Sequence, residues 1–262
     1  MTDMMAMANS SVKFSLCIIA KNEADRIGAC ILAVRDVADE VVVVDSGSTD
    51  ATCDIARELG AKVFHNDWTG YGPQKRFSED CARNDWILNL DADEVATPEL
   101  CAEITALLQS PPPLCAYRIK IRNVYPRQDR PRLWADANNY VRLYDRRRVR
   151  FRESPVHDTV DTRDEKVGQL KSSVMHFSAR SYAHIRRKLD AYTTLQAQSL
   201  RKSRLSLALR LPFEYPAVFL RYFVFRAHFT GGIDGVISSH LAAESRFMRL
   251  LKMWPRRLAQ AR

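Results

Sequence analysis

Two acids one residue apart, Asp91 and Asp93, follow the apolar run Trp86–Leu90. Carboxylates at i and i+2 can point into one space where a strand has just ended. Hard divalent cations such as Mg2+ or Mn2+ take oxygen ligands and usually keep substrate phosphates as partners. A cation on Asp91 and Asp93 would neutralise a departing diphosphate. The same pair would also serve as a polar turn or helix cap. A third acid, Asp45, ends another apolar run, Val41–Val44, and precedes Ser46-Gly47-Ser48. An acid there can accept hydrogen bonds from a base or a ribose hydroxyl, and the glycine turn lets a ligand approach the backbone. Asp50, just beyond, reads as a cap for the next helix. At a third turn, Ala20-Lys21-Asn22-Glu23, an exposed Asn-Glu pair suits the same nucleotide or a helix cap.

These side chains can cooperate only if the elements before them end together. Phe14–Ala20 reads as a buried strand, and Ile27, Ile31, Val34 and Ala38 recur at helical spacing. Val41–Val44 is a β-branched run of the kind covered on both faces. A helix runs to Leu59 and stops at Gly60; Lys62–His65 is a short third strand; Pro73 opens a helix reaching about Arg83. Trp86–Leu90 is the fourth strand, and Pro98 opens another helix. The strand–helix alternation predicts an α/β fold, an open, mostly parallel sheet with helices on both faces. Ligands of such sheets sit beyond the carboxyl ends of the strands, where Asp45 and Asp91 both fall. From Cys115 to about His176 the pattern is strand-like but irregular, and from Ser181 onward it is helical.

Three blocks together resemble the signatures of family 2 glycosyltransferases: Ser15 to Glu23, Val43 to Asp50, and Leu90-Asp91-Ala92-Asp93-Glu94. The resemblance covers residues 12–110 and implies the GT-A fold and a nucleotide-sugar donor. Trp68-Thr69-Gly70-Tyr71-Gly72-Pro73-Gln74-Lys75-Arg76 and Asp85–Leu90 are similar to the subgroup that glucosylates the heptose of lipopolysaccharide inner core. The resemblance implies that Ala20, Glu23 and Asp45 line a uridine pocket, with Asn22 and Ser46 beside it. It places Gln74 and Lys75 at the donor, Lys75 near its diphosphate, and Asp91 and Ala92 on the ribose side. Asp91 and Asp93 would hold Mg2+ or Mn2+, and His176 would complete the metal shell. Inversion in one displacement needs a carboxylate base for the acceptor hydroxyl. Ser154-Pro155-Val156-His157-Asp158 resembles the subgroup's Val-His-Glu segment with Asp in place of Glu, which makes Asp158 the first candidate and Glu153 the second.

Charge divides the chain. From Lys171 to the end there are 17 Lys/Arg and 4 Asp/Glu, against 23 and 27 before it. The expected organisation is a catalytic domain over 1–178 and a helical basic extension over 179–262. Basic residues interleaved with aromatics, among them Arg201, Lys202, Arg221 and Arg226 with Tyr215, Phe219, Phe223 and Phe225, suit an anionic membrane surface. A lipid-linked or phosphorylated saccharide acceptor would be met there. Arg146–Arg150 is basic, but no nucleic-acid module surrounds it, so no nucleic-acid partner is expected. Residues 1–11 lack the charge and apolar core of a signal peptide, no stretch is long enough to span a membrane, and six scattered cysteines fit a reducing compartment. The expected location is cytoplasmic, on the inner face of the cytoplasmic membrane. A sugar-phosphate nucleotidyltransferase would carry a glycine-rich loop after the first strand, which is absent at Ala20–Glu23. A scaffold without turnover would have no need of the acids at 45, 91 and 93.

Overall fold

The computed structural model describes residues 11–155, 158–199 and 203–259. Residues 1–10, Val156, His157, Arg201 and Lys202, which carried parts of the reading above, lie outside the described residues. Contacts divide the chain into two units, Met1–Arg122 with Ala137–His176 and Asn123–Asp136 with Phe177–Arg262. A boundary at 178 leaves Asn123–Asp136 with the first unit, whereas its contacts place it with the second. Arg127 and Gln128 bond Asp234 there, and Arg132 donates to the carbonyls of Arg226 and Ala227.

The first unit is built on an eight-stranded sheet in the order β3-β2-β1-β4-β7-β6-β10-β5. Strands β1 (Phe14–Ala20), β2 (Glu40–Asp45), β3 (Lys62–His65) and β4 (Trp86–Asp91) form its parallel half. Helix α1 (Ile27–Val34) follows β1 and α2 (Thr52–Glu58) follows β2. The expected open α/β sheet is therefore present. Beyond β4 it continues through β7 (Ala137–Asp145), antiparallel to both β4 and β6 (Ala116–Asn123). Every residue of β2 is buried, as its unbroken β-branched run requires.

Alternate residues of the parallel strands feed two cores. Leu16, Ile18, Val43, Leu88 and Leu90 pack with Ile27 and Ile31 of α1 and with Leu100 and Ile104 of α4 (Pro98–Leu107). Thr97 caps α4 by accepting from the Leu100 amide, with Pro98 in the first turn. Cys17, Val42, Val44 and Ile87 face the other way with Tyr144 and Phe151. All six cysteines are free.

A short strand missed in the sequence, β5 (Glu94–Ala96), pairs antiparallel with β10 (Gly168–His176), so that His176 stands opposite Glu94. Its three residues are too few to show a periodicity. Helix α3 (Tyr71–Cys81) starts two residues before Pro73, just after Gly70, whose φ of 131° suits glycine. The α3 terminus presses on the loop after β8 (Arg150–Phe151), which pairs with β9 (Val160–Asp161). Gly72 N–H donates to the Ser154 carbonyl and Tyr71 N–H to that of Pro155. A Cβ on Gly72 would lie 2.0 Å from the Arg152 carbonyl oxygen, and one on Gly70 2.4 Å from Pro155 Cα.

The second unit is helical, with α5 (Tyr182–Ser199), α6 (Arg204–Leu220) and α7 (Gly232–Ala259). A π turn (Arg221–Phe225) and a 3₁₀ turn (His228–Gly231) link α6 to α7. Ala197, Leu207, Leu250 and Met253 form its buried cluster. No helix among the described residues is long and apolar enough to cross a membrane.

Gly72→Ala should force the loop off α3 and cost about 1–3 kcal/mol, as overpacking generally does. Thermal melting checks this; a Tm unchanged from the parent would show that the loop docks without needing the glycine.

Candidate active site

β1 lies between β2 and β4, with Ala20 opposite Asp45 and Ile19 opposite Asp91. Two strand spacings set the backbones of these acids about 10 Å apart at one edge of the sheet. Asp45 shapes its own turn. Its Oδ2 accepts from the amides of Gly47 and Ser48, both at 2.9 Å, and its Oδ1 accepts from the Ser48 hydroxyl. Burial pushes this carboxyl up, but those hydrogen bonds hold it below the usual range.

The turn after β1 is tied to the turn after β2. Asn22, at φ 56°, donates its amide to Ser48 Oγ, and its Oδ1 accepts from Thr49 N–H, both at 2.8 Å. Glu23 N–H donates to Thr52 Oγ1 at 2.8 Å. Asp50 accepts from the Thr52 and Ala24 amides and so joins the two turns, but the residue at the N-cap of α2 is Ala51, which makes no side-chain cap bond. Ala20 and Ala92 bury their methyls in the core, which leaves only their backbone to meet a ligand. Gln74 is fully buried. It donates to Ser46 Oγ and the Asn66 carbonyl and accepts from Asn66 Nδ2, so its amide holds loops together and has no path to a donor.

Lys75 is also fully buried, one helical position away. Its ammonium sits 2.8 Å from Asp91 Oδ1 and 3.0 Å from Asp158 Oδ2, and 5.1 Å from the centre of the Phe151 ring. The other oxygen of Asp91 takes Arg142 Nη2 at 3.0 Å. That nitrogen also reaches Glu94 Oε1 at 2.8 Å, and Arg142 Nη1 donates to Asn89 Oδ1. Glu94 in turn accepts from the Asp91 amide. Burial raises Asp91, but the charges of Lys75 and Arg142 outweigh it and keep the carboxyl ionised far below its usual range. Burial pushes Glu94 up. Arg142 is lowered by burial and raised further by Glu94 and Asp91.

Asp93 belongs to a neighbouring group. Its Oδ2 accepts from Arg26 Nη1 at 3.2 Å, and its Oδ1 lies 3.4 Å from His176 Nε2. Arg26 also binds Glu23, so the β1 turn reaches the acid after β4. Burial raises Asp93, but the hydrogen bond and charge of His176, then Arg26, lower it more. Burial lowers His176, and Asp93 raises it more.

As a donor set for a divalent cation, Asp93 and His176 fit, with the balance of oxygens coming from a nucleotide or water. Asp91 turns both oxygens to Lys75 and Arg142 instead, and among the described residues no three His, Cys, Asp or Glu side chains converge as a metal cluster. Glu153 is mostly exposed and lies 3.5 Å from Arg76, whereas Asp158 joins the Lys75 cluster.

Arg142, Glu94, Asn89 and Arg26 were missed. The available signal was polar side chains inside apolar strands: Arg142 in Tyr140-Val141-Arg142-Leu143-Tyr144, and Asn89 within Trp86–Leu90. A buried polar side chain must find a partner.

The family model for Glycosyl transferase family 2 matches residues 15–163. An uncharacterized glycosyltransferase of Rickettsia bellii is 38% identical over 252 residues, covering 92% of this chain and 86% of that protein. The lipopolysaccharide core biosynthesis glycosyltransferase LpsC of Rhizobium meliloti is 28% identical over 262 residues, covering 95% and 94%. Among solved structures, glucosyl-3-phosphoglycerate synthase from Mycobacterium tuberculosis with Mn2+, UDP and glucosyl-3-phosphoglycerate is 23% identical over 44% of each chain, with a TM-score of 0.36.

Arg142→Met leaves the buried Glu94 and the partly buried Asp91 without their shared cation, a change that costs about 3–5 kcal/mol in comparable buried pairs. Arg142→Lys should recover only part, because one ammonium cannot replace the guanidinium fork. Thermal melting should show Met least stable, Lys intermediate and the parent highest; equal melting would mean the cluster is held by other contacts.

Proposed function

This chain belongs to glycosyltransferase family 2, and on that premise we propose that it transfers glucose from UDP-glucose, with inversion, to a cell-envelope saccharide such as the lipopolysaccharide inner core. The observation that carries the reading is the Lys75 bridge, which holds Asp158 beside Asp91. The nucleotide lies along the turns after β1, β2 and β4, with the Asp45 turn toward the nucleoside and Asp91 and Asp93 toward the sugar diphosphate. Asp158 accepts the proton of the acceptor hydroxyl as that oxygen attacks the anomeric carbon and the bond to the diphosphate breaks. Asp158 is favoured over Glu153 because it alone shares the cluster of Asp91. Lys75 positions both acids from below, buried and engaged, and is not itself a phosphate ligand. A Mg2+ or Mn2+ on Asp93 and His176 would stabilise the negative charge of the leaving diphosphate. Asp91 anchors the two cations that fix the cluster.

The acceptor we infer is lipid-linked or phosphorylated and presented at the inner face of the cytoplasmic membrane. The excess of basic residues from Lys171 onward supports attraction to that anionic surface, and the likeness to LpsC over nearly the whole chain supports the envelope acceptor.

A screen of nucleotide sugars with the purified chain, scored by nucleotide release, should rank UDP-glucose first and lose turnover on removal of divalent cations. With inner-core lipopolysaccharide lacking its glucose as acceptor, Asp158→Asn should lower kcat by about 10²–10⁴-fold, with the KM for UDP-glucose little changed. Full activity in Asp158→Asn together with a large loss in Glu153→Gln would move the base to Glu153.

A further inference from the structure

Helix α6 is apolar on two opposite sides. At 100° per residue, Leu207, Leu211, Glu214 and Val218 share one side, where Leu207 and Leu211 pack with Leu250 and Met253 of α7. Leu205, Leu209, Phe213 and Leu220 fall on the other side, and Val224 in the π turn extends the row, all within an arc of about 100°. These five are 69, 64, 70, 53 and 47% exposed. Pro216 is the remaining exposed residue along that arc. A helix whose outer face met only water would place polar residues there.

Cations border the stripe. Arg210, which also pairs with Glu214, and Arg221 lie past one edge of the arc, and Arg226, 3.7 Å from Asp136, follows Phe225, which is 84% exposed. Further apolar groups of the same unit stand exposed nearby in the chain: Phe229, which meets Trp134 edge-on, and Ile233. The row from Leu205 to Val224 runs about 29 Å along the helix, too large for scattered surface apolar residues to explain.

We infer that the outer face of α6 and the turn after it insert into one leaflet of a lipid bilayer containing anionic lipid, so that attachment rests on apolar burial as well as on charge. A leaflet offers both parts of the match, acyl chains for Leu205, Leu209, Phe213, Leu220 and Val224 and headgroup phosphates for the bordering arginines. A second copy of the same chain would bring another basic unit against this one and repel it. The inference goes beyond the transferase reading and does not rest on it, because it concerns vesicle binding without turnover.

Flotation of the full chain with phosphatidylcholine–phosphatidylglycerol vesicles tests it. Attraction by charge alone is screened at about 1 M NaCl, whereas the parent chain should remain with the vesicles there. Leu209→Glu/Phe213→Glu should lower high-salt partitioning by about a hundredfold or more, from the apolar area removed. Arg221→Gln should weaken binding only at low salt. Release of the parent chain by salt would overturn insertion, as would a glutamate variant that floats like the parent. A glutamate variant that merely converts a dimer to a monomer, with flotation intact, would assign the stripe to a second copy and also overturn it. Phe213→Trp gives an independent readout should the glutamate pair fail to fold. Its fluorescence should be quenched by bromine-labelled acyl chains, and absence of quenching counts against insertion.

Discussion

An ammonium with no access to water must be neutralised where it stands. Lys75 meets that condition with two carboxylates from distant parts of the chain, Asp91 at the end of β4 and Asp158 in the loop between β8 and β9. The rest of the site can be read from this constraint. α3 must lie under the strand ends to deliver the ammonium. Gly70 and Gly72 must lack side chains so that the 152–155 backbone can approach α3. Gln74, beside Lys75, ties the helix to Ser46 and Asn66. The acid proposed as base and the acid that ends the central strand are thus gathered by one side chain that never reaches solvent.

The two acids of the Asp91-Ala92-Asp93 turn have different surroundings and do different work. Asp91 lies between Lys75 and Arg142 and stays ionised because they surround it. Asp93 faces Arg26 and His176 at the rim, where a cation held by Asp93 and His176 would take the place of Arg26. Ala92, between them, points into the core and keeps the two acids on separate sides of the turn. The arrangement is a charge lattice in which each carboxylate has a cationic neighbour, so anionic substrate can enter without leaving a buried charge alone.

Local signals made the parallel half of the sheet legible. Val41–Val44 could hardly be other than a doubly covered strand, and the acids after it and after Leu90 fell at carboxyl ends because apolar runs stop there. His176 meets Asp93 only because β5 pairs with β10, a contact between segments some eighty residues apart that no local pattern encodes. Arg142 was hidden for the same reason: its partners Asp91 and Glu94 lie on other strands. Gln74 and Lys75 were recognisable as site residues, but their complete burial, which turns them from ligand contacts into supports, depends on how α3 seats on the sheet. The aromatic, basic character of the last third of the chain was plain, while the division of α6 into an inner and an outer apolar face depended on where α7 packs.

The central claim is that Lys75 and Asp158 act as one unit in sugar transfer. A double-mutant cycle with Lys75→Met and Asp158→Asn, read on kcat for transfer from UDP-glucose, tests it most directly. Residues that act as a unit are strongly non-additive, so the double variant should be about as slow as the worse single one. Losses that multiply would contradict the account, because they would mean the lysine and the acid work at independent sites.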